Sequence, residues 1–129
     1  LLSPALAPEL KGLVLNACKT ERMASHIQRE LRHLSIVCWA TVVEDRAAKT
    51  FIKGFYDAIA AEPEGACSVA RAFEAGRAAF LQAGFREGDP EEYLHDARHD
   101  HITQRRFVRT CTGCKPPVHG RPVLVAPTG

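Results

Sequence analysis

The chain has 129 residues, the size of one domain or of part of one. Hydrophobic residues at 46% and charged residues at 25% exclude wholesale disorder. Seventeen Lys and Arg against fifteen Asp and Glu leave a net charge of +2, too balanced to point to nucleic acid or to an anionic membrane. No apolar run approaches the roughly 18 to 20 residues of a membrane span. The opening Leu1-Leu2-Ser3-Pro4-Ala5-Leu6-Ala7-Pro8 lacks the basic start and long apolar stretch of a signal peptide, and residue 1 is not Met, so the chain is expected to begin partway through a longer protein. Five cysteines, at 18, 38, 67, 111 and 114, are odd in number and irregular in spacing. Disulfide scaffolds carry even sets, so free thiols in a reducing, cytoplasmic setting are expected.

Residues 1–11 read as a lead-in. The apolar run 13–18, flanked by Gly12, suits a strand buried on both faces in a parallel sheet. From Thr20, an expected N-cap, the period changes: Met23, Ile27, Leu31 and Leu34 form one stripe of an amphipathic helix. A second β-branched and aromatic run, 35–42, follows. Glu44 and Asp45 are placed to cap a helix over about 46–61, with Ala48, Ile52, Phe55 and Ile59 on one face. Glu62-Pro63-Glu64-Gly65 stops it. A third helix opens near Ser68, repeats Val69, Phe73, Gly76 and Phe80, and ends at Gly84.

Strand, helix, strand, helix, helix is an α/β order, and a strand–helix–strand crossover gives parallel pairing. Residues 86–119 are polar, with His95, His99, His101 and His119 and the pair Cys111 and Cys114. A short helix near 90–97 is expected there, and a last strand after it within 122–126.

Cys18 closes the first apolar run and precedes Lys19-Thr20 and a helix. Ligands of open parallel sheets bind beyond the carboxyl ends of the strands, where a thiol gains from the positive end of the next helix. The competing reading is a small buried hydrophobe. Trp39 and the stretch to Asp45 follow the second strand at the same edge; there too Asp45 can be a cap and Trp39 a packing residue.

Taken in order, these segments resemble the CHAT domains, caspase-like cysteine peptidases of clan CD. Leu13-Val14-Leu15-Asn16-Ala17-Cys18-Lys19-Thr20 looks like their nucleophile strand, and Ser35-Ile36-Val37-Cys38-Trp39-Ala40 like the next one. Glu44-Asp45-Arg46-Ala47-Ala48, the helix containing Phe51-Ile52-Lys53-Gly54-Phe55-Tyr56-Asp57-Ala58-Ile59, and Ser68-Val69-Ala70-Arg71-Ala72-Phe73 continue the series. Pro116-Pro117-Val118-His119-Gly120-Arg121-Pro122-Val123-Leu124-Val125 is similar to the closing segment of some relatives.

The resemblance implies a caspase-like three-layer α/β sandwich with a mostly parallel sheet, of which this chain is the C-terminal half. Residues 1–84 form that half, and 85–129 are a polar tail of the same domain. It also implies Cys18 as nucleophile, the backbone around Ala17 and Cys18 at the oxyanion, and Trp39, Glu44 and Asp45 beside a substrate residue, basic if the carboxylates select it. The substrate is a protein or peptide, and the remaining partner is the N-terminal half of the domain. The general base of the family is a histidine ending an earlier strand; residues 1–17 contain none, so the chain alone is expected to be inactive as a peptidase. His26 and His33 do not match that base. The alternative is a catalytically inactive interaction module in a signalling protein.

Cys111-Thr112-Gly113-Cys114 with His119, His99 and His101 could supply zinc ligands. A single C-x₂-C is read instead as two loop thiols near surface histidines, and no metal or cofactor is assigned. Arg105-Arg106 with Arg109 reads as solvated surface.

Overall fold

The computed structural model describes residues 10–63, 65–91 and 117–128. Their elements run β1 (Gly12–Val14), α1 (Glu21–Glu30), β2 (Ser35–Trp39), α2 (Asp45–Ala60), α3 (Val69–Gln82) and β3 (Pro122–Val125). β2 lies between the other strands, parallel to β1 and antiparallel to β3. The expected mostly parallel sheet is thus corrected to a mixed one. The Arg121 carbonyl accepts from the Ala40 N–H, so the last segment enters beside the end of β2 and runs back along it.

Period-two alternation along β2 divides the core. Ile36 and Cys38 meet Ala24, Leu31 and Leu34 on the α1 side. Val37 and Trp39 meet Phe51, Phe55, Phe73 and Phe80 on the side of α2 and α3. Helices therefore cover both faces of the sheet. The aromatic side is the heavier: Trp39 and Phe51 meet edge to face at 5.4 Å, and Phe51 and Phe73 at 5.6 Å. Each such buried ring contributes about 2 to 3 kcal/mol from the area removed from water.

The strand expected over 13–18 stops at Val14. The Leu15 N–H still bonds to Val37 O, but the next partners on β2 are taken by Thr20, whose N–H donates to Trp39 O and whose hydroxyl accepts from the Trp39 N–H. Residues 15–19 are left to form a turn.

α1 also buries a different stripe from the one its apolar residues mark. Met23 is 55% exposed, while Ala24 and Gln28 are buried. Gln28 belongs inside because its amide donates to the carbonyls of Leu34 and Ala126 and ties α1 to the chain on both sides of it. On α2 the buried face is Ala47, Ala48, Phe51 and Phe55, and Ile59 is exposed.

The caps follow the sequence closely. The Glu44 carboxylate accepts from the Ala47 N–H at 3.0 Å, and the Ser68 hydroxyl from the Arg71 N–H at 3.1 Å. Gly84, at φ +95°, follows α3 in the left-handed conformation that glycine adopts without a Cβ clash. The expected helix over 90–97 lies, beyond Glu91, outside the described residues. Among the described residues no helix is long and apolar enough to cross a membrane.

α2 and α3 approach closely at Gly76, where an added Cβ would lie 2.8 Å from the Phe51 carbonyl oxygen. Neither backbone can yield without moving a helix. Gly76→Ala is expected to lower the unfolding free energy by about 1 to 3 kcal/mol in urea titrations.

Candidate active site

Cys18 is exposed, in the turn between β1 and α1 at the carboxyl edge of the sheet. Its sulfur accepts the Val43 N–H at 3.3 Å, which ties it to the segment that leaves β2. Lys19 follows with φ +53°, a left-handed conformation uncommon outside glycine. That residue turns the chain so that its own N–H reaches Thr41 O at 3.0 Å. Among the described residues no acceptor takes the Cys18 N–H.

The charge beside Cys18 is more balanced than Lys19 alone implies. The Lys19 ammonium meets the Glu91 carboxylate at 2.5 Å, and this hydrogen bond and charge hold the ammonium above its ordinary pKa. Both side chains are solvated, so the pair adds little to stability. It does place a carboxylate next to the turn.

Two polar side chains hold this turn, and a third joins the same sheet edge to β3. The Thr20 hydroxyl lies 3.1 Å from both Leu15 O and Ala17 O, which share its one proton, and accepts the Trp39 N–H at 3.0 Å. Asn16 Oδ1 accepts from the Trp39 indole Nε1–H at 2.7 Å. Thr41 Oγ1 accepts from the Arg121 N–H at 3.0 Å, joining the same edge to the start of β3. None of these roles is marked by the hydrophobic pattern. Thr20 was expected as a helix cap, and its hydroxyl points the other way.

Trp39 is only 1% exposed, with its ring against Phe51 and Phe80, so the ring is a core group and only its indole N–H reaches the turn. The Glu44 side chain is 14% exposed and serves as the cap of α2. Asp45, one residue on, is exposed and pairs with Lys49 at 3.0 Å. Of these residues, Asp45 offers the most accessible carboxylate. The Ala17 carbonyl is occupied by Thr20.

His119 returns the chain to this edge, its carbonyl accepting from the Glu44 N–H at 2.9 Å. Nδ1 accepts from the Arg86 N–H at 2.9 Å, and the ring packs edge to face on Phe85. Burial holds its pKa below the ordinary value, against the charge of Glu44 and a backbone hydrogen bond with Arg86, which both raise it. With Nδ1 as acceptor the proton sits on Nε2, so the ring's one lone pair is already engaged. His33 lies beyond the end of α1, at the entry to β2, the opposite end of the sheet from Cys18. His26 is exposed on α1. Cys111, Cys114, His95, His99 and His101 lie outside the described residues. Among those described, no group of three or more His, Cys, Asp or Glu could hold a metal ion.

A groove of about 360 Å³ between α3 and β3 is lined by Phe73, Arg77, Glu87 and Pro122, and includes none of residues 15–20. Arg77 and Glu87 meet there through paired bonds of 2.7 and 3.0 Å, which hold the Glu87 carboxyl below the usual carboxylate range.

Cys38, on β2, is buried where Cys18 is exposed. Burial, with the charge of Glu21, pushes the Cys38 thiol up to about 11 from 9.0. Iodoacetamide at pH 8 is expected to modify Cys18 in the folded protein and Cys38 only after denaturation, as read by peptide mass mapping. An unfolded chain ionises this thiol near 9 and the folded chain near 11, so its contribution to stability is complete below pH 9 and declines as pH rises through 11. That contribution is about 3 kcal/mol, and alkaline unfolding of Cys38→Ala should show a correspondingly shallower pH dependence. No family model, curated protein or solved structure matches the chain.

Proposed function

We propose that the chain is a CHAT-like, caspase-like segment supplying the nucleophile of a cysteine endopeptidase, acting on a protein or peptide substrate. The observation that carries this reading is the exposed Cys18 thiol in the turn after β1, with the Val43 N–H directed at its sulfur. The parallel β1–β2 pair, with helices on both faces of its sheet, supports it from the side of the fold.

In the reaction the Cys18 thiolate attacks the scissile carbonyl carbon. A C–S bond forms and the carbonyl π electrons move to oxygen, beside the N–H of Cys18. Collapse expels the amine, which takes a proton, and water then cleaves the thioester to a carboxylic acid and the free thiol. Asp45, the more exposed of the two carboxylates, would favour a basic side chain next to the scissile bond. The base that takes the thiol proton is not His119, whose acceptor nitrogen is engaged, nor His33, at the far end of the sheet. The family pattern asks for a histidine at the end of an upstream strand.

The absence of a histidine from residues 1–17 favours a second reading, an inactive CHAT-like interaction module that keeps the fold without the base.

A peptidyl acyloxymethyl ketone with a basic residue next to the warhead separates the two. The thiolate displaces the carboxylate and leaves a thioether, so a competent site is trapped. Labelling of the full-length protein at Cys18, abolished by Cys18→Ala and about tenfold slower in Asp45→Asn, is the expected outcome. Full-length protein labelled no faster than a free thiol would establish the module instead.

A further inference from the structure

We infer that Thr20 is a positioning residue for Cys18, which rests on the nucleophile reading above. Thr20 stands at the boundary of α1, where a threonine ordinarily turns its hydroxyl onto an amide of the first helical turn. Here it makes no such bond, and its backbone (φ −97°, ψ 0°) is not the extended one of a capping residue. The side chain is turned inward, with the residue 8% exposed.

What the hydroxyl does instead lies entirely around Cys18. It shares its one proton between Leu15 O and Ala17 O, upstream of the thiol, and accepts from the Trp39 N–H across the sheet. Downstream, the N–H groups of Lys19 and Thr20 reach Thr41 O and Trp39 O. Cys18 thus sits in a turn whose two limbs are fixed to the same strand end, and from there its sulfur meets the Val43 N–H. A thiol on an untethered surface turn would explore many positions. A nucleophile must stay within a fraction of an ångström of one.

Thr20→Val keeps the shape of the side chain and removes the hydroxyl; Thr20→Ser keeps the hydroxyl. Both are made in the full-length protein and read in two ways. In Thr20→Val the Val43 amide is expected to exchange with solvent about tenfold faster. The acyloxymethyl ketone should show a maximal inactivation rate about tenfold lower, with half-saturation within about twofold. Thr20→Ser should restore both values, and Cys38 should stay protected from iodoacetamide in every variant. Wild-type values in Thr20→Val would overturn the assignment, as would a Thr20→Ser that behaves like Thr20→Val. Loss of Cys38 protection in Thr20→Val would also overturn it, by marking a role in the whole fold. A wild-type protein that the ketone fails to label defeats the peptidase reading, and the exchange of the Val43 amide still decides the role of Thr20.

Discussion

The reciprocal hydrogen bonds between Thr20 and Trp39 are the constraint on which the turn at the carboxyl edge of the sheet depends. They extend the parallel ladder past the last residue of β1 and fix where α1 starts. They also seat the Trp39 backbone so that its ring enters the aromatic cluster of α2 and α3. One residue pair therefore connects the aromatic cluster with the turn that presents Cys18. Both partners are buried, where a backbone N–H left without an acceptor is costly, so the pairing resists local opening.

Much of the framework is legible in the sequence, because it rests on local chemistry. The run 35–39 has the composition of a strand covered on both sides. Ser68 and Gly84 bracket α3, and Glu44 precedes α2, each with the chemistry a helix end requires. What the pattern misses comes from tertiary partners. Apolar spacing picks Met23 over Gln28 for the buried stripe of α1, since nothing local reveals the carbonyls of Leu34 and Ala126 that satisfy the amide. Four apolar residues at 122–125 announce a strand without giving its direction, and the bond from Ala40 to Arg121 sets it antiparallel.

The candidate site divides in the same way. The position of Cys18, after a short strand and before a helix, can be read from the order of residues 13–21. The tethers cannot. A threonine before a helix reads as a cap, and an aromatic at a strand end reads equally well as ligand contact or core. Only the fold assigns Trp39 to the core and Thr20 to the turn. The engagement of His119 likewise follows from the Arg86 amide, 33 residues away along the chain.

Trp39 is the one tryptophan in the sequence, and its indole is shared between two environments. The six-membered side of its ring system is near Gly120, which has no side chain to push it away, and the nitrogen is bonded to Asn16. The protein thus carries its single tryptophan, which is excited apart from its two tyrosines, at the junction between its interior and the edge that bears Cys18. Its emission registers the polarity of both at once, an optical gauge of whether the thiol-bearing segment is seated.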